Sequence, residues 1–235
     1  MKTIGIIGGM GPLATADLYT KIINFTVAEK DQEHVPVIID SNPLIPDRTD
    51  YILHGGESPL PEIVKSIRRL EAAGCDFLIM PCNTAHHIID EIKTTTKIPF
   101  INMMEETVKI VARDYPGEKV GLLATDGTAK SGAYHRYFEP LGVDVIIPKE
   151  HQEDVMEYIY QGVRTGNLEK DLNGIEMAVH EMETMGATIF ILGCTELSAV
   201  SQRIRTIEND FLDPLEILAV RAIQEAGGKA KELRR

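Results

Sequence analysis

Cysteine is scarce in this 235-residue chain, with three residues, Cys75, Cys82 and Cys194. So few, and an odd number, argues against the disulfide scaffold of a small secreted protein. Positive charge is also in short supply. Lys and Arg total 24 against 36 Asp and Glu, a formal net charge of −12. A surface of that sign does not attract nucleic acid or an anionic membrane, so neither is expected as a partner. Any acidic ligand would have to be held by a local positive field. Long hydrophobic runs are missing as well. No stretch approaches the roughly 20 apolar residues of a membrane span. The first run, in MKTIGIIGGMGP, is broken by glycine too early for a signal-peptide core. A cytoplasmic location is the resulting expectation.

What is present suits a folded globular chain: 43% hydrophobic and 26% charged residues. Length allows one large domain or two small ones. Short apolar, β-branched runs alternate with longer amphipathic segments, the pattern of parallel sheets flanked by helices. Strands are expected at Thr3–Gly8, Val35–Asp40, Phe77–Pro81, Ile98–Ile101, Val120–Thr125, Val143–Ile147, Ile189–Gly193 and Ile204–Ile207. Helices are expected at Pro59–Ala73, Thr84–Lys93, Glu105–Tyr115, Thr128–Leu141, Glu150–Thr165 and Leu168–Met185, with another opening at Pro12. Ser41–Ser58 has no clear period and reads as a long loop, a common place for function.

An internal repeat organises these elements. Ala72–Thr84 and Thr184–Glu196 each run from a helix end through glycine and an apolar strand to a cysteine, a polar residue and a new helix. Cys82 and Cys194 occupy the same point of the two copies, 112 residues apart. Two α/β halves of similar topology follow, residues 1–98 plus 209–235 and residues 99–208. Ligands of open α/β sheets bind beyond the carboxyl ends of strands, where both cysteines sit. A helix N-terminus there is expected to lower a thiol pKa and to hold a carboxylate. Two thiols flanking one small anion suit proton removal on one face of a carbon and delivery on the other. Cys75 reads as a small buried hydrophobe. Cys82 and His86 stand at i, i+4, but nothing in the sequence completes a metal set around them. The Gly8–Gly11 loop has the wrong glycine spacing for a dinucleotide site.

Three segments resemble the signatures of the aspartate/glutamate racemase family: Gly8-Gly9-Met10-Gly11-Pro12, Pro81-Cys82-Asn83-Thr84-Ala85-His86 and Gly193-Cys194-Thr195-Glu196-Leu197. Ser41-Asn42-Pro43 and Ile45-Pro46-Asp47-Arg48-Thr49 are similar to the loop of its aspartate racemase branch. The resemblance implies a usually dimeric isomerase that needs no cofactor, built of two pseudo-symmetric α/β domains with the active site in the cleft between them. Cys82 and Cys194 would be its catalytic acid and base, interconverting L- and D-aspartate. By the same resemblance, Met10, Asn83, Thr84, Thr125 and Thr195 would contact the amino acid. Arg48 would hold its side-chain carboxylate together with Arg164, which stands where the branch carries lysine. That departure leaves glutamate or a broader range of amino acids open as substrates. A maleate isomerase or arylmalonate decarboxylase chemistry on the same scaffold is the further alternative.

Overall fold

The computed structural model describes residues 1–233. Its first half runs β1 (Ile4–Gly8), α1 (Pro12–Phe25), β2 (Val37–Ser41), α2 (Arg48–His54), α3 (Leu60–Ala72), β3 (Phe77–Ile79), α4 (Ile89–Thr94) and α5 (Met103–Asp114). The second half continues with β4 (Val120–Leu123), α6 (Asp126–Lys130), α7 (His135–Phe138), β5 (Val145–Ile146), α8 (Gln152–Glu157), α9 (Asn173–Thr184) and β6 (Ile189–Leu192). It closes with α10 (Thr195–Ala199), α11 (Ser201–Ile204), β7 (Phe211–Leu212) and α12 (Pro214–Glu225).

These elements form two parallel sheets flanked by helices, with strand orders β2-β1-β3 and β5-β4-β6-β7. In each sheet the first strand of the half is central, the second lies to one side and the third to the other. β3 and β6 are therefore equivalent, and each leads into a cysteine. The central strands are buried on both faces, which is why Ile4, Ile6 and Ile7, or Val120, Leu122 and Leu123, read as continuous apolar runs. α12 comes back to the first half. Its Leu215, Leu218, Ala219, Ala222 and Ile223 share a core with Ile4, Ile6, Leu18 and Ile22.

Several expected elements differ from those observed. Ile204–Ile207 is not a strand: Ile204 ends α11, and Leu197, Val200 and Ile204 are buried at helical spacing. The last strand of the second sheet is β7 instead. Ile98–Ile101 makes a single bridge, Leu78 to Phe100, because Pro99 has no N–H to extend a ladder. The stretch Ser41–Ser58 contains α2. Asp47 caps it by accepting from the Thr49 and Asp50 amides at 2.8 and 3.0 Å. The helix expected over Thr128–Leu141 is broken at Gly132, whose φ is +67°. The one expected from Leu168 begins at Asn173.

Candidate active site

The loops that follow β1, β3 and β6 meet α2 and the turn after α8 in one cleft between the two halves. Met10, Arg48, Thr49, Cys82, Asn83, Thr84, Arg164, Cys194, Thr195 and Glu196 line it. Every residue picked out from the sequence is here except Thr125, which stands one layer back. The Thr125 hydroxyl lies 3.1 Å from that of Thr84. The space left in the cleft is about 10 Å³, room for about one water molecule. The halves are closed on one another.

Close backbone approach makes this closure possible. Gly9 has φ +95°, and a Cβ there would lie 2.3 Å from the Asn42 backbone, so glycine lets the β1 loop and the loop after β2 come together. A Cβ on Gly127 would lie 2.7 Å from the Thr49 hydroxyl and 2.9 Å from the Thr84 methyl, so the second half rests its backbone directly on the first. Buried hydroxyls then bind the halves: Thr84 to Thr128 at 2.8 Å, and Thr195 donating to the Pro81 carbonyl at 3.3 Å.

Two buried donors in this lining have no partner, the Arg48 Nε and the Asn83 Nδ2. An unpaired buried donor is costly, so a lining that keeps two of them is built for an acceptor. Neighbours fix both. Arg48 Nη1 donates to the Ile45 and Pro46 carbonyls at 3.3 and 2.9 Å, which anchors the guanidinium. The hydroxyl of the fully buried Tyr134 donates to Asn83 Oδ1 at 2.8 Å, which fixes which end of the amide carries the unpaired N–H. Burial pushes the Tyr134 hydroxyl far above its ordinary range, so it stays a donor. His86 is a prop of the same kind. Its Nδ1–H donates to the Cys82 carbonyl at 2.7 Å, and burial holds its pKa down to about 4, so the ring is neutral.

The two thiols differ. Cys194 Sγ donates to Glu196 Oε2 at 2.9 Å. Burial and the adjacent carboxylate hold the Cys194 pKa well above the ordinary thiol range. This corrects the expectation that a helix N-terminus would lower it. α10 has five residues, and the turn after Cys82, Thr84–Ile88, is a 3-10 segment. Neither has the length for a strong macrodipole, and Glu196 overrides what dipole there is. Arg164 donates from Nε to Glu196 Oε1 at 3.4 Å and from Nη1 to Asp47 Oδ2 at 3.3 Å, over the Tyr160 ring at 3.9 Å.

Sequence reasoning gave no role to Glu196, Tyr134, Asp47 or Tyr160. Glu196 had a local signal, two residues after Cys194 on the same turn. The partnerships of Tyr134 and Asp47 join residues 51 and 117 positions apart, and no pattern in the sequence announces them.

Two α/β halves that bring equivalent strand-end thiols and unpaired N–H donors into one closed cleft define a scaffold for chemistry on a small acid. The chain belongs to the Asp/Glu/hydantoin racemase family, whose profile matches residues 7–222, and is therefore an isomerase. An aspartate racemase of Picrophilus torridus superposes with a TM-score of 0.88 at 33% identity, covering 98% of this chain and 96% of that one. An aspartate racemase homologue of Pyrococcus horikoshii OT3 superposes with a TM-score of 0.76 at 25% identity, covering 97% and 100%. In sequence, the broad specificity amino-acid racemase RacX of Bacillus subtilis (strain 168) is 29% identical over 220 residues, 92% of this chain and 94% of its own length.

Proposed function

We propose that this racemase interconverts L- and D-aspartate by passing the Cα proton between two thiols, Cys82 and Cys194, without a cofactor. One observation carries the reading. The cysteines that follow the equivalent strands β3 and β6 line the same cleft, together with two buried N–H donors that have no partner.

The chemistry follows from the groups present. In one direction a Cys82 thiolate takes the α-proton and the Cys194 thiol gives its proton to the opposite face of the same carbon. The protonation states are then exchanged, and the reverse reaction uses the same pair in opposite roles. Negative charge builds on the substrate carboxylate as the proton leaves. Asn83 Nδ2 is the donor suited to that charge, in a closed cleft where water does not compete. Glu196 keeps Cys194 in the thiol form between turnovers, so that the pair holds one proton rather than none. The Arg48 Nε is the donor suited to a second carboxylate.

A wider substrate range is the second reading. It is favoured by Arg164, whose charge is shared with Asp47 and Glu196, and by the likeness to a broad specificity racemase. The test is chiral chromatography of L-aspartate, L-glutamate and L-alanine incubated with protein freed of pyridoxal phosphate and metals. The D-enantiomer should accumulate for aspartate, and should not in Cys82→Ala or Cys194→Ala. Full activity in either variant would refute the two-thiol mechanism.

A further inference from the structure

Of the two arginines at the cleft, one is bound mainly to neutral groups and the other mainly to charged ones. Arg48 Nη1 rests on carbonyl oxygens and its Nε has no partner. Arg164 lies between two carboxylates, Glu196 in the cleft wall and Asp47 behind it, with the Tyr160 ring on its face. A second carboxylate arriving at Arg164 therefore meets one positive charge and two negative ones.

Asp47 cannot simply swing away to make room. Its Oδ1 is held by the amides of Thr49 and Asp50 at the start of α2, leaving Oδ2 for Arg164. Although burial works against its charge, the Asp50 amide, Arg48, Arg164 and the Thr49 amide together hold its carboxyl below the ordinary range, so it is ionised at neutral pH. Asp47 itself is not among the residues lining the cleft. Its charge acts on Arg48 of its own half and, at 3.3 Å, on Arg164 of the second.

We propose that Asp47 sets substrate selectivity: a fixed carboxylate behind the cleft offsets the charge of both cleft arginines, Arg48 beside it in sequence and Arg164 across from it, so that neutral amino acids compete with dicarboxylic ones. The inference rests on the racemase reading and makes Asp47 a positioning residue that acts through the two arginines.

The experiment changes the charge and keeps the cap. Asparagine and serine are both good N-cap residues, so Asp47→Asn and Asp47→Ser preserve the start of α2. Steady-state kinetics with aspartate and with alanine give the ratio of their kcat/KM values. Both variants should raise that ratio in favour of aspartate by about fivefold, equivalent to the ~1 kcal/mol of a partly exposed ion pair. The change should appear in the KM for aspartate rather than in kcat, because the thiols are untouched. Asp47→Glu, which keeps the charge, should stay near the parental ratio. A ratio that is unchanged or lower in either folded neutral variant overturns the proposal, as does a parent enzyme with no measurable turnover of neutral amino acids. A parent that racemises no amino acid at all refutes the function proposed above instead, so the two failures are distinct.

Discussion

Tyr134 offers a sharp test of how the cleft is organised, because one oxygen atom can be removed with little else disturbed. Its ring is fully buried among Met104, Val108, Leu122 and Phe138, and stacks on Phe138 with centroids 6.2 Å apart. Tyr134→Phe keeps that packing and deletes the hydroxyl that donates to Asn83 Oδ1 at 2.8 Å. The amide oxygen is then left without its donor inside the protein, at a cost of about 1–3 kcal/mol. For a chain of this size each kcal/mol corresponds to roughly 2–4 °C in melting temperature, so a fall of about 2–12 °C is expected. The functional effect follows from geometry. Without the hydroxyl, nothing distinguishes the two ends of the amide, and Asn83 can present its oxygen to the substrate carboxylate instead of its N–H. The value of kcat/KM should fall by about tenfold, the equivalent of about 1.4 kcal/mol, with kcat sharing in the loss because the same N–H faces the charge that builds as the proton leaves. Urea unfolding and steady-state kinetics on the same preparation measure both effects. Unchanged stability together with unchanged kcat/KM would refute the reasoning.

Two further predictions concern buried charges. Lys21 of α1 contacts Asp17 at 2.6 Å and the fully buried Asp213 at 3.6 Å, and Ser198 of α10 donates to Asp213 at 2.6 Å. Lys21→Met leaves Asp213 buried without its cation and should cost about 3–5 kcal/mol in urea unfolding, much of it recovered in the Lys21→Met, Asp213→Asn double variant. A loss below about 1 kcal/mol would contradict this, since that is the range of an exposed pair. Burial pulls the Lys21 pKa down, but Asp213 and Asp17 outweigh it and raise it above the ordinary 10.5. Its contribution to stability should therefore be complete below pH 10.5 and be lost as pH rises through the higher folded value. At the second site, Glu196→Gln removes the anion beside Cys194, so the thiolate becomes less costly and the thiol pKa falls. Activity requires one thiol of the pair to stay protonated, and the alkaline edge of the pH–rate profile should move toward acid. An edge that stays in place or moves to higher pH would contradict the assignment.

Much of the architecture could be read from residue pattern because it follows from local rules. β1, β3, β4 and β6 are apolar runs of the kind a doubly covered parallel sheet accommodates, and the two strand-end cysteines marked β3 and β6 as equivalents. The cleft residues Cys82, Asn83, Thr84, Cys194 and Thr195 followed from that equivalence. α2 was hidden because Pro46 and Gly55 frame it and its own residues have little apolar period; the Asp47 cap was the signal available. Ile204–Ile207 was misread because a short apolar stretch does not distinguish strand from helix. The electrostatics were least legible. A helix N-terminus argued for an acidified Cys194, whereas burial and the Glu196 carboxylate give the reverse. Arg164 read as a substrate cation, and its pairing with Asp47 exists only once the two halves close.

The central claim is that two groups, not one, handle the proton. Incubating L-aspartate with the enzyme in D2O, then separating the enantiomers at low conversion and measuring deuterium at Cα, tests it directly. Each thiol exchanges its proton with solvent, so the new D-aspartate should carry deuterium while the remaining L-aspartate keeps protium. Product that retains the original protium would mean that a single group carries the proton from one face to the other, and would contradict the account.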